Sequence, residues 1–216
     1  AGDAVVIGRS EVFNEENWAY ITSPDTGWIP AECVAQDTVS RTGSTGSAGV
    51  DTVREINIEW ISGSVTVEPG DVQEITFSES GAATDQYKMV WKQSGDKLTI
   101  QFCKDSNVVG FGLHFGDGSK DLTITVPRGW VCDSLELDTA STDLTVRDMI
   151  IREVEIDSAS GTAKFENCTI SSLDVDTASG DVTFTGSLSE LDFDAASASF
   201  TGVLENVPDQ VNMDSM

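Results

Sequence analysis

Between residues 134 and 202 the chain alternates apolar and polar side chains in short runs, each interrupted by a cluster of Ala, Ser, Thr or Gly. Four serines mark the interruptions: Ser141, Ser160, Ser179 and Ser197, spaced 19, 19 and 18 residues apart. Six and four residues before each serine the positions are apolar: Leu135/Leu137, Val154/Ile156, Leu173/Val175 and Leu191/Phe193. Three and five after it come Leu144/Val146, Ala163/Phe165, Val182/Phe184 and Phe200/Gly202. Two outlying copies fit the same template. One is INIEWISGSVTV, with Ile56, Ile58, Ser62, Val65 and Val67 in place; the other begins at Val211, Met213 and Asp214.

A period of two is the signature of a strand with one buried face. Each copy therefore reads as a strand, a tight bend and a second strand. A strand pair this small cannot bury its apolar face alone, whereas copies stacked about 4.8 Å apart bury it continuously. The expected fold class is all-β: a β-solenoid or roll of parallel rungs of about 19 residues. The Ala-Ser-Gly bend suits this fold, because glycine tolerates positive φ and a serine hydroxyl can bond the turn backbone.

Between the first copy and the main array lie EITFSE, KMVWKQ, KLTIQF and LTITVP, which read as antiparallel strands or widened rungs on the same core. Residues 108–121, VVGFGLHFGDGSKD, read as a glycine-rich loop. Helical periodicity is almost absent. Residues 37–50, rich in Gly, Ser and Thr, read as a linker. The expected organisation is thus a small module at 1–36, a linker at 37–50 and the repeat array at 51–216.

Charge changes the picture more than composition does. The chain carries 37 Asp and Glu against 12 Lys and Arg, a formal net charge of −25. Such a field repels nucleic acid and anionic lipid and favours cations or basic partners. No run is long enough for a membrane span, so direct membrane insertion within this chain is not expected. The chain opens AGDAVVIGRS without an initiator Met, which implies a removed upstream segment: a signal, an anchor or a domain. Cys33, Cys103, Cys132 and Cys168 are scattered without a CxxC pair, which argues against a zinc ribbon. Disulfides and buried thiols both fit them.

The motifs IEWISGSVTVEPGD, LTITVP and the iterated LDVDTASGDVTFTG resemble a bacterial family of candidate adhesins with a β-solenoid domain, over about residues 51–216. The resemblance implies that fold and a surface-associated setting. Residues 1–36 resemble a partial bacterial SH3-like barrel: a VVIGRS strand, then WAYI, then TGWIPAECV, with the family's opening strand missing. That likeness implies a peptide or cell-wall groove lined by Trp18, Tyr20 and Trp28, rings for which core packing competes.

The sharpest candidate site lies on the outward face of the repeated first strand. Glu136, Glu155, Asp174 and Asp192 form one column there; Asp138, Asp157, Asp176 and Asp194 form a second. Hard carboxylate oxygens in rows suit Ca²⁺. A solvated face that keeps the sheet from aggregating suits them too. The pattern supplies no backbone carbonyls or loop asparagines for calcium, which favours the second reading. No other cofactor is implied.

Catalysis has little support. The only histidine is His114, in the glycine-rich loop; no G-x-S-x-G motif occurs; and no acid pair is singled out as acid and base. The sequence therefore points to non-enzymatic binding at the cell envelope, outside the cytoplasm, on the surface, secreted or anchored upstream of residue 1. The SH3-like part would touch cell wall, and the solenoid would offer a surface to a glycan or protein. The rivals are an enzyme of the polysaccharide-cleaving β-helix kind and a structural or sensory ectodomain. The last copy, begun at Val211, leaves an edge through which a homodimer could form.

Overall fold

The computed structural model describes residues 6–13, 16–23, 27–30, 40–81, 85–104 and 119–215. The chain divides into two compact units, Ala1–Thr38 and Val39–Met216. The first holds a three-stranded antiparallel sheet of β1 (Val6–Phe13), β2 (Glu16–Ser23) and β3 (Gly27–Pro30), in the order β1-β2-β3.

The second unit is a stack of parallel rungs. Its main strands are β6 (Glu55–Gly70), β11 (Val131–Arg147), β12 (Ile150–Ser160), β13 (Ala163–Ser179) and β14 (Val182–Ser197). β15 (Phe200–Leu204) and β16 (Gln210–Ser215) form the last rung. The two halves of a rung contribute to two faces. On the first face Ile56, Leu135, Val154, Leu173, Leu191 and Val211 are in register, as are Ile58, Leu137, Ile156, Val175, Phe193 and Met213. On the second face Val65, Leu144, Ala163, Val182 and Phe200 align. These columns form the core, and each buried Leu, Ile or Val stabilises the fold by about 1.5–3 kcal/mol relative to exposure.

Two corners turn each rung, and both need unusual backbone. At the first, Gly63, Gly161 and Gly180 take φ of +110°, +124° and +141°. At the second, Gly129, Asp148, Asn167 and Gly186 stand 19 residues apart, with φ of +78°, +51°, +56° and +127°. Asn and Asp tolerate this region better than other side chains, and the Asn167 amide donates to Asp148 Oδ1 at 2.6 Å, tying one corner to the next. The first bend has its own inter-rung ties. Asp143 Oδ1 accepts both the N–H and the hydroxyl of Thr162, and Asp181 Oδ1 does the same for Ser199.

At one end of the stack the chain extends both faces with its own strands. β9 (Lys97–Gln101) adds to β6 in parallel on the first face, followed by β8 (Val90–Ser94) and β4 (Arg41–Thr42). β10 (Lys120–Pro127) adds to β6 on the second, followed by β7 (Ile75–Ser80) and β5 (Thr45–Ala48). The four expected strand runs are therefore β7 to β10, two of them parallel to the stack.

Within residues 37–50, read from sequence as linker, residues 41–42 and 45–48 form strands β4 and β5. Their small residues serve packing: a Cβ on Gly46 would lie 2.2 Å from the Phe77 ring and 2.8 Å from Trp91. Those two rings meet edge to face at 5.4 Å over the end of the core.

Beneath them is a polar cluster that is buried and charged. The Lys120 ammonium, 1% exposed, donates to Glu79 Oε2 at 2.5 Å, to the Tyr87 carbonyl at 2.8 Å and to the Phe102 carbonyl. It also lies over the rings of Phe102 and Trp60, 4.0 and 4.7 Å from their centres. Cys132 and Cys168 are buried free thiols. Burial pushes Cys132 up to about 12 and raises Cys168 as well, so neither is a thiolate at neutral pH. Cys33, His114 and most of the glycine-rich loop lie outside the described residues.

Candidate functional site: an acidic sheet face

The first face of the stack owes its outward side to the positions between the core columns. Register aligns Asn57, Glu136, Glu155, Asp174, Asp192 and Asn212 in one row. It aligns Glu59, Asp138, Asp157, Asp176, Asp194 and Asp214 in the other. All eight carboxylates singled out from the sequence lie here. Glu136 and Asp138 are half-buried, and the remaining six are exposed. The structure lengthens the second row at both ends, with Glu59 and Asp214.

The second face obeys the same stacking rules but does not stack like charges. There Arg147 donates to Glu166 at 2.7 Å and to Glu68 at 3.3 Å, while Lys164 pairs with Glu166 at 2.6 Å. Acid over acid is therefore a property of one face and not a requirement of the fold. Neighbouring strands bring such charges to about 4.8 Å, where each pair repels by about 1 kcal/mol in water before screening.

The carboxyls register this crowding. Asp138, Glu155, Asp174 and Asp194 are all held above the ordinary carboxylate range, first by burial and then by their acidic neighbours. Cationic relief is local to one end: Lys97 on β9 donates to both oxygens of Glu136, at 2.7 and 3.0 Å. The Glu136 hydrogen bond in turn raises the Lys97 ammonium. Asn57 also donates to Glu136, at 3.0 Å, and Gln101 donates to Glu59 at 2.8 Å. Sequence reasoning missed these three donors. Lys97 and Gln101 belong to a strand that joins the stack out of chain order, so repeat spacing gave them no place.

In all four raised carboxyls the folded-state value exceeds the unfolded one. The folded chain then holds more protons than the unfolded chain between those two values, and stability rises as pH falls through that interval. Glu166, lowered by Lys164 and Arg147, works the other way, losing its contribution only below the ordinary glutamate range. The expected thermal profile therefore rises as pH falls from neutral toward the ordinary carboxylate range, about pH 4. Added NaCl should flatten the climb. Asp157→Asn, which removes a neighbour common to Asp138, Glu155 and Asp174, should stabilise the protein by about 0.5–1 kcal/mol at pH 7 and low salt. Differential scanning calorimetry across pH checks both; a profile falling steadily from pH 7 would contradict them.

The face is chemically simple. A depression of about 60 Å³ between Glu136, Leu137, Asp138, Glu155 and Asp157 admits water and falls far short of a small-molecule pocket of roughly 300 Å³ or more. A second void of about 10 Å³ lies inside the first bend, among Thr139, Thr142, Ser158 and Thr177, with room for one water at most. Among the described residues no three Asp, Glu, His or Cys side chains converge so as to hold a metal ion.

In the first unit, the register pairs Tyr20 with Trp28 and Trp18 with Pro30, so the three aromatic positions are near neighbours on β2 and β3. Trp60 and Trp91 are core residues, and Trp130 is half-buried against the core. Among the described residues no helix is long and apolar enough to cross a membrane.

Parallel rungs that share one core define a solenoid-type, all-β repeat protein. Residues 53–200 match the Toastrack family, DUF4097; the match spans more than half of the chain, and the chain belongs to that family. No functionally curated protein is detectably similar to it in sequence. Among solved structures, a candidate cell adhesion protein from Clostridium sporogenes aligns with 83% of this chain and 100% of its own, at 7% identity and a TM-score of 0.39. A candidate adhesin from Bacteroides fragilis aligns with 83% of this chain and 98% of its own, at 12% identity and a TM-score of 0.31. A candidate lipid-binding protein from Parabacteroides distasonis aligns with 84% and 98%, at 10% identity and a TM-score of 0.23.

Proposed function

We propose that this chain is a non-enzymatic protein of the cell envelope, located outside the cytoplasm. Its rung stack presents an extended acidic surface to a protein or glycan, and its first unit is an SH3-like module that contacts cell wall. The observation that carries the reading is the first face itself. It is a long sheet surface of evenly spaced carboxylates, built at the cost of mutual repulsion. Binding by such a face is distributed over many weak contacts.

An enzyme needs one pair of acids set apart in environment or spacing. Here successive rungs repeat the same geometry, which weighs against acid–base catalysis. A Ca²⁺ layer is a secondary reading that the carboxylate rows alone support. It is tested by a rise in Tm at millimolar Ca²⁺ that Asp157→Asn with Asp176→Asn abolishes.

Co-sedimentation with purified bacterial cell walls tests the main reading. The full chain is expected to pellet. If residues 39–216 alone also pellet, and Asp157→Asn with Asp176→Asn weakens that, the acidic face is the contact. If only the full chain pellets, the first unit is the anchor. If neither does, the envelope-binding reading fails.

A further inference from the structure

Among the described residues, Lys120 and Glu79 form the one ion pair whose side chains are both cut off from water, at 1% and 0% exposure. The pair of Lys97 and Glu136 keeps 34% and 28%. The buried pair is also set for more than attraction. Lys120 Nζ lies 2.5 Å from Glu79 Oε2; with a C–O bond of about 1.23 Å, the carboxyl carbon is no more than about 3.7 Å away. Glu79 Oε1 accepts the Met89 N–H at 3.0 Å and the Ser44 hydroxyl at 3.4 Å. The Tyr87 and Phe102 carbonyls take the other two ammonium hydrogens, beside the rings of Phe102 and Trp60.

We propose that Lys120 and Glu79 condense in the folded protein to an intramolecular amide, an isopeptide bond that joins β10 to β7. The Nζ–Cδ bond forms and the Cδ–Oε2 bond breaks. Oε2 takes two of the three ammonium hydrogens and leaves as water, while the third stays on the amide nitrogen, facing the Tyr87 or Phe102 carbonyl. One ammonium and one carboxylate are consumed, so charge balances and no oxidant, metal or co-reactant is required.

The surroundings supply each step. The first proton moves along the existing Nζ–Oε2 hydrogen bond and leaves an uncharged amine to attack. Oε1 then carries the charge of the tetrahedral intermediate against the Met89 N–H and the Ser44 hydroxyl. Contact at this range acts as a very high effective concentration, and burial keeps out the water that would reverse the bond. The product replaces a buried ion pair, costly to desolvate, with a neutral group. It closes a loop between positions 41 residues apart, around β8 and β9, and so fastens the strands that begin the stack. Lys120→Met abolishes the amide as surely as the ion pair. The inference concerns the core and is independent of the acidic-face reading.

The test is the intact mass of the full chain, purified folded and then read under denaturing conditions. The expected value lies one water, about 18 Da, below the mass of the sequence. After denaturation trypsin should cut at Lys97 and fail to cut at Lys120, and tandem spectra should show a branched peptide that joins Glu79 to Lys120. Lys120→Arg keeps the positive charge without the amine and should restore the full sequence mass.

A parent chain at its full sequence mass overturns the proposal, and that reading depends on no variant. A deficit that persists in Lys120→Arg overturns it too. So does a deficit that mild alkali reverses, since an aspartyl succinimide hydrolyses there and an amide does not.

Discussion

Gly180→Ala is expected to destabilise the folded protein by about 3–5 kcal/mol and to lower its Tm by roughly 10 °C or more. Two effects add. Gly180 sits at φ +141°, a conformation that L side chains avoid, and its Cβ would stand 1.8 Å from the carbonyl oxygen of Gly161 on the preceding rung. Backbone cannot rotate aside as a flexible side chain can. The rungs must part at this corner, which breaks hydrogen bonds on both faces and opens the core beside Val175 and Val182. Gly161→Ala meets the Thr142 carbonyl oxygen at 2.1 Å and should behave alike. Ser179→Ala, one residue away on an exposed side chain, should change stability by less than about 0.5 kcal/mol. Urea unfolding of the three variants separates these expectations. A Gly180→Ala protein within 1 kcal/mol of the parent would mean that the rungs are not this close.

The same corner shows why part of the fold was legible in the sequence and part was not. The first bend repeats in residue type, with Ser160-Gly161 and Ser179-Gly180 followed by an alternating strand, so both spacing and chemistry announce it. The second corner repeats only in backbone. Gly129, Asp148, Asn167 and Gly186 look unrelated as letters, and only their shared tolerance of positive φ at a 19-residue spacing reveals them. The acid rows could be read because period two and in-register copies suffice to place them. Their terminating donors could not, since β9 lies beside β6 although 26 residues of chain separate Gly70 from Lys97. Residues 41–48 misled for a physical reason: a strand that packs its backbone against Phe77 and Trp91 needs glycine where a linker would also have it.

Lys120→Met is the second change with a large expected effect, a loss of about 3–5 kcal/mol. Both partners of this pair carry a signal that alternation could have disclosed. Lys120 falls on the inward phase of KDLTITV, with Leu122, Ile124 and Val126, and Glu79 falls on the inward phase of ITFSE, with Ile75 and Phe77. Opposite charges at core positions of paired strands must meet or ionise unfavourably. Burial pulls the Lys120 ammonium below the ordinary lysine range and Glu79 pushes back. The Phe102 and Tyr87 carbonyls take its other hydrogens. Methionine keeps the volume but leaves a Glu79 carboxylate with no access to water, held only by the Met89 N–H at 3.0 Å and the Ser44 hydroxyl at 3.4 Å. Glu79→Gln on the Lys120→Met background removes that buried charge while keeping an oxygen for those donors. It should recover about half or more of the loss, a coupling of roughly 1.5–3 kcal/mol in a double-mutant cycle. Purely additive losses would mean that the two side chains act as separate packing groups. The cost of Lys120→Met would then reflect the loss of the Lys120 hydrogen bonds to the Phe102 and Tyr87 carbonyls alone.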